Sequence, residues 1–174
     1  MRNRLYLLRH AKSSWDDPSL SDEARPLSPR GERAACRMAR HVERSGVRPR
    51  LVLCSPARRA RQTLELVAAP LAERAEVRVE DTLYGAGAAE LLARLRQVPS
   101  DVPSVMVVGH NPGLHDLALD LLAGGRHGAL ADLHAKFPTG ALASLLVARG
   151  GWASLGRGGA ELDSFVVPRA LRRR

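Results

Sequence analysis

Three places in the sequence put reactive side chains at the end of an apolar run. "LYLL" (Leu5–Leu8) leads straight into Arg9-His10. "LVLC" (Leu51–Cys54) is followed by "SPARRARQT", Ser55 to Thr63, which carries Arg58, Arg59 and Arg61. "SVMVVG" (Ser104–Gly109) is followed by His110 and then by Asn111-Pro112-Gly113 at the start of a helical pattern. In open α/β sheets ligands bind beyond the carboxyl ends of the strands. If these runs are neighbouring strands, one edge gathers two histidines and several arginines. A helix N-terminus adds oriented N–H groups and partial positive charge. The chemistry this suits is the capture of a dianion in a pocket that also holds imidazoles.

Such a pocket needs elements to position it. Continuous apolar runs are what strands look like when helices cover both faces of a sheet. "EVRVE" (Glu76–Glu80) alternates and reads as a further, more exposed strand. Ser28-Pro29 offers a cap followed by proline at the first helical position. Ala34, Ala35, Met38, Ala39 and Val42 then share one helical face. Ala57–Ala75 and Ala88–Val98 are also helical in pattern, and Asn111-Pro112 repeats the cap-then-proline signal before "GLHDLALDLLAGG". From Gly125 to Gly140 there are turn residues and no clear period, so this stretch reads as loop. "ALASLLVA" (Ala141–Ala148) and "AELDSFVVP" (Ala160–Pro168) read as closing strands paired across the "RGGW" turn. Alternating strand and helix predict a three-layer α/β/α fold with an open, mostly parallel central sheet. Residues 1–168 are expected to form a single domain and 169–174 a basic tail.

With these residues in view, the sequence resembles the histidine phosphatase superfamily, the phosphoglycerate-mutase-like group. "LLRHAKSS" resembles that family's Arg-His-Gly strand end, with Ala11 where glycine is usual. "SPARRARQT" resembles its Ser-Pro-x-x-Arg-Ala-x-Gln-Thr segment, which puts the family arginine on Arg59 and leaves Arg58 as the fallback. "VVGHNPGL" resembles the segment carrying its second histidine, here His110, and "FPTGALASL" near Phe137 also matches. Three motifs in order, over residues 5 to 114, make the resemblance specific. The wording "RHAKSSW", "LYGAG" and "GHNPGL" is similar to the small phosphohistidine phosphatases of SixA type.

The resemblance implies roles. His10 would attack phosphorus in line and form a phosphohistidine that water hydrolyses. Arg9, Arg59 and His110 would hold the non-bridging oxygens and offset transition-state charge, with Ser13 adding a hydroxyl contact. Guanidinium suits this because its planar fork meets phosphate oxygens bidentately. No metal or other cofactor is expected, since cationic side chains do the work of a metal ion. Mutase-like relatives carry an acid just before a tyrosine. "EDTLYG" makes Asp81 the candidate proton donor, three positions before Tyr84. The substrate implied is a phosphorylated protein, most simply phosphohistidine. The alternatives are a small-molecule phosphatase acting on sugar phosphates or nucleotides, and a catalytically silent phosphate-binding module.

Composition narrows the classes further. The net charge of +9 invites a nucleic-acid reading, but the arginines are spread along helical segments and aromatic content is only 3%, too little for base-stacking platforms. Lys12 and Lys136 are the only lysines among 27 basic residues, which with the Ala-rich helices reads as the codon usage of a GC-rich bacterial genome. No nucleic-acid partner is expected. Cys36 and Cys54 show no spacing motif and read as buried small residues in a reducing compartment. Arg2 and Arg4 lead into only four apolar residues, too few for a signal peptide, and no run approaches a membrane span. No membrane association is expected, and the location expected is cytoplasmic. His110, His115 and His134 lack the carboxylate or cysteine spacing of a metal site, so His115 and His134 read as surface or packing residues. Trp15 and Trp152 read as packing residues, Trp15 near enough to His10 to flank the loop. Nothing in the sequence reports the oligomeric state.

Overall fold

The computed structural model of the chain describes residues 2–68, 75–125 and 127–171. Among them, seven strands form one sheet: β1 (Arg4–Arg9), β2 (Leu51–Cys54), β3 (Glu76–Val79), β4 (Ser104–Gly109), β5 (Leu122–Gly125), β6 (Leu142–Val147) and β7 (Ala160–Val166). Their order is β3-β2-β4-β1-β6-β7-β5. Pairing is parallel for β1 with β4, β2 with β3, β2 with β4 and β5 with β7. Only β6 runs against its neighbours, β1 and β7. This is the mostly parallel α/β sheet that the apolar runs predict.

The runs are continuous because each strand feeds two cores. On β1, Leu5 and Leu7 pack on one face with Leu91, Leu95, Leu114 and Leu117, residues of α3 (Ala88–Arg96) and α4 (Gly113–Leu121). Tyr6 and Leu8 point to the other face, onto Ala35, Met38, Leu64 and Val67, which belong to α1 (Pro29–Ser45) and α2 (Arg58–Ala68). Alternate side chains thus serve opposite layers, so no position in the run is free to be polar. α1 begins as its sequence requires. Ser28 is the cap, its hydroxyl accepting from Gly31 N at 3.1 Å, and Ala35, Met38 and Val42 face inward. β3 lies at the sheet edge with all four residues exposed, in keeping with its alternating sequence.

Four segments differ from the sequence reading. The helix expected over Ala57–Ala75 runs from Arg58 to Ala68; residues 69–74 lie outside the described set, and Ala75 already leads into β3. α4 stops at Leu121, and "LAGG" forms β5 instead of continuing it. A Cβ at Gly125 would come within 2.7 Å of Leu162 Cβ, so glycine is what lets this strand lie against β7. The expected loop after Gly125 contains α5 (His127–Ala135), where Leu133 is fully buried but flanked by polar and small residues that hide the helical period. At α4 the cap is Pro112 itself, and the Asn111 amide donates to Phe137 O at 2.9 Å.

Of the segment expected as a basic tail, Arg169–Leu171 belong to a 3-10 turn over Pro168–Leu171, while 172–174 lie outside the described residues. Cys36 is exposed, not buried, because position 36 faces away from the layer that Ala35 and Met38 enter; Cys54 is buried as expected. No described helix is long and apolar enough to cross a membrane.

Candidate active site

The carboxyl ends of β1, β2 and β4 meet in the middle of the sheet, and the singled-out residues meet there with them. His10 follows β1 and is 8% exposed. Its ring centroid lies 5.1 Å from that of His110, which follows β4. His10 Nδ1 is 2.7 Å from Ala11 O. A carbonyl only accepts, so Nδ1 carries the proton and Nε2 keeps a free lone pair. Burial, with His110, Arg59 and Arg9 nearby, pushes the His10 pKa down to about 3. Burial and Arg59 push His110 down to about 4. Both imidazoles are therefore neutral near neutral pH.

Arg59 enters from the first turn of α2 and is buried, whereas Arg58 and Arg61 are exposed. Burial, then the neighbouring Arg59, lowers the Arg9 guanidinium from its ordinary value. Arg9 donates to Phe137 O at 2.8 Å, just before β6. Among the described residues, the buried polar side-chain atoms without a partner are Arg9 Nε, His110 Nδ1 and Asn111 Oδ1, all at this edge. Buried polar groups are normally satisfied, so their concentration here marks a place where a ligand supplies partners.

Local sequence explains how the cluster is held. Ala11 N donates to Thr63 Oγ1 at 2.9 Å, and Thr63 Oγ1 donates to Arg59 O at 2.6 Å. The Thr of "RQT" thus ties the turn carrying His10 to the turn carrying Arg59. Gln62 Oε1 accepts from Leu27 N at 2.8 Å, holding the following loop. A Cβ at Gly31 would overlap Lys12 O, so glycine there allows α1 to press against the turn after His10.

Other residues that the sequence does not single out also join the cluster. Ser55, the first residue past β2, lies 2.7 Å from His110 Nε2 through its hydroxyl. Its position after a strand was a signal equal to that of His10. Asp22 has no such signal. Its carboxylate accepts from Arg59 at 2.9 Å and from the Tyr84 hydroxyl at 2.6 Å, and its carbonyl accepts from Arg59 at 2.6 Å. Those contacts, Tyr84 foremost, hold its carboxyl below the usual range. The Tyr84 ring stands edge-on to His110 at 5.7 Å.

Ser13 is buried, and its hydroxyl accepts from Arg25. Arg25 also donates to Ser14 O and pairs with Asp22 at 2.8 Å, pinning the loop. Asp81 is exposed in a 3-10 turn where its carbonyl accepts from Tyr84 N; the residue of that turn brought to the cluster is Tyr84. Trp15 is 73% exposed instead of packed, with the Arg25 guanidinium over its ring, while Trp152 is buried. His134 is exposed and His115 Nε2 lies 2.7 Å from Leu133 O.

Two neutral imidazoles and two guanidiniums, gathered where three parallel strands end, make a site suited to holding an anion against a free imidazole nitrogen. Comparison with known proteins gives the class a name. The model of the histidine phosphatase superfamily (branch 1) matches residues 5–86. An uncharacterized protein of Mycobacterium tuberculosis, Rv1276c, is 39% identical over 164 residues, covering 93% of this chain and all of the relative. A candidate phosphohistidine phosphatase SixA from Nakamurella multipartitia has a structure that superposes with TM-score 0.82 at 34% identity, covering 97% of each chain. A protein histidine phosphatase SixA complexed with tungstate gives TM-score 0.76 at 26% identity, covering 97% of this chain and 99% of the other. The chain belongs to the histidine phosphatase superfamily, and so to the phosphatases.

Proposed function

We propose that the chain hydrolyses phosphohistidine in proteins, with His10 as nucleophile. The observation that carries this reading is the fixed tautomer of His10. Nδ1–H is held by Ala11 O, and Nε2 stays unprotonated beside two guanidiniums. Nε2 attacks phosphorus, the bond to the substrate imidazole breaks, and that imidazole leaves neutral once protonated. Water then attacks the phosphohistidine, releasing phosphate and restoring the His10 lone pair. Arg9, Arg59 and His110 face the charge on the transferring group.

Leaving-group chemistry favours this substrate over alkyl phosphates. An alkoxide needs a positioned acid, worth ~100- to 10,000-fold, whereas an imidazole can take its proton from solvent near neutral pH. The acid nearest the cluster is Asp22, which Tyr84 and Arg59 keep as carboxylate. A carboxylate is a poor proton donor but a good neighbour for a protonated imidazole. A tungstate complex of a SixA relative is consistent with oxyanion binding in this fold. Two free thiols, Cys36 and Cys54, support a reducing, cytoplasmic setting.

The test is catalytic efficiency on a phosphohistidine peptide, p-nitrophenyl phosphate and phosphoglycerate, for wild type and Asp81→Asn. The expected order is the one written, with Asp81→Asn leaving the first unchanged. If phosphoglycerate is preferred and Asp81→Asn removes that preference, a small-molecule phosphatase with Asp81 as donor replaces this reading.

A further inference from the structure

Beside the nucleophile turn lies a groove of about 260 Å³ whose lining includes Lys12, Arg30, Arg37, Lys136 and Arg169. No carboxylate and no aromatic residue lines it. None of the five cations forms an ion pair among the described residues. The contrast with the opposite edge of the sheet is direct. There a larger cavity, about 810 Å³, is lined by Arg2 and Arg4, but Glu161 takes Arg2 at 3.0 Å and Asp163 takes Arg4 at 3.2 Å. In that cavity each N-terminal arginine has its own acid. In the groove five cations converge with no acid among them. Both lysines of a chain that otherwise uses arginine are among them.

The topology makes this groove an extension of the candidate active site. Lys12 is two residues past His10, at most about 7 Å along the chain. β7 is antiparallel to β6, which is antiparallel to β1, so Pro168 and Arg169 leave β7 on the edge where His10 leaves β1. Pro138 and Thr139 line the groove, and the next residue, Gly140, donates its N–H toward both Arg9 O and His10 O at 3.1 and 3.0 Å. Arg30 and Arg37 come from α1, which Gly31 presses against Lys12. A polypeptide whose phosphohistidine meets His10 would run on into the groove.

We propose that this groove is a substrate-docking site for an acidic segment flanking the phosphohistidine of a protein. The proposal rests on the phosphohistidine reading for its substrate, but the groove is testable without it. A peptide fits better than the other polyanions. With no aromatic side chain in the lining, bases have no aromatic platform to stack on. Among the described residues the exposed large apolar side chains, Trp15, Val77, Val79 and Tyr84, all lie off the groove, so its lining offers no large apolar side chain to a bilayer. Carboxylates on a flexible strand can reach separate ammonium and guanidinium heads and gain from the field they create.

The experiment compares wild type with the triple variant Arg30→Glu, Lys136→Glu, Arg169→Glu, all exposed positions outside the catalytic cluster. Its probes are two phosphohistidine peptides of equal length, with acidic or neutral flanks, and p-nitrophenyl phosphate. At low salt wild type is expected to favour the acidic peptide roughly tenfold in kcat/KM, and less at high salt. The variant should lose that preference while hydrolysing p-nitrophenyl phosphate as before, which also shows that it is folded. No preference in wild type, or a preference kept by the variant, overturns the proposal.

A second arm measures binding of the unphosphorylated acidic peptide and of an oligonucleotide of equal charge. If neither phosphopeptide is hydrolysed, yet the acidic peptide binds wild type and not the variant, the docking site stands and the phosphohistidine reading falls. If the oligonucleotide binds more tightly and is the one the variant releases, the occupant is nucleic acid and the proposal is wrong.

Discussion

The strand-end side of the pocket and its loop side are held in different ways. His10, Arg9 and His110 leave strands paired through complete ladders, and backbone carbonyls take Arg9 and His10. Asp22 and Tyr84 come from a loop and a turn. Their link to the cluster is side chain to side chain, and the Asp22 side chain is 51% exposed. Arg59 belongs to both sides, locked by its buried helix turn yet giving its guanidinium to Asp22. A phosphate dianion arriving at Arg59 must compete with that carboxylate. The strand ends supply preorganised charge, and the loop supplies a partner that substrate can displace.

Of the residues that distinguish the two sides, the shared one should have the largest effect when broken. Arg59→Ala is expected to lower kcat/KM by about a hundred- to a thousand-fold, the usual cost of one preorganised charge-stabilising donor. Arg58→Ala, exposed on the same turn, should be nearly silent. If the two effects are reversed in steady-state kinetics, the pocket arginine is Arg58. Asp22→Asn sharpens the loop side, since it keeps the shape and removes the competing charge. Inhibition by inorganic phosphate should tighten roughly two- to fivefold, the scale of a partly exposed ion pair. Unchanged or weaker inhibition would mean that Asp22 does not occupy phosphate's place.

A subtler prediction concerns acid. His10 has a folded pKa near 3 against about 6.5 unfolded, so between these values the unfolded chain binds the extra proton. Stability is then fully present above pH 6.5 and falls as pH drops, by ~1.4 kcal/mol per unit for one such histidine. His10→Asn should flatten the slope of unfolding free energy against pH by about that amount between pH 6 and 4. Equal slopes in urea titrations would mean that His10 protonates in the folded state.

The same division explains what the sequence could tell. Leu5–Leu8, Leu51–Cys54 and Ser104–Gly109 are legible because two-sided burial forbids polar residues, and whatever follows them must lie at the sheet edge. His10, His110 and the arginine turn are therefore legible in the sequence alone. Asp22 and Tyr84 are 62 residues apart and meet only through the loop's path, which Arg25 sets by bonding to Ser13, Ser14 and Asp22. No period or cap announces such a meeting. β5 and α5 are not legible for a related reason. A glycine-rich edge strand and a nine-residue helix with little inward apolar surface depend on contacts with β7 more than on their own pattern.

The claim on which everything else depends is that His10 carries the phosphoryl group. The direct measurement is acid-quench trapping with a phosphoryl-labelled substrate, followed by base and acid treatment of the denatured protein. Wild type is predicted to retain label that survives alkali and is lost in acid, as a phosphoramidate should, and His10→Ala should retain none. Acid-stable label on a serine, or undiminished labelling of His10→Ala, would contradict it.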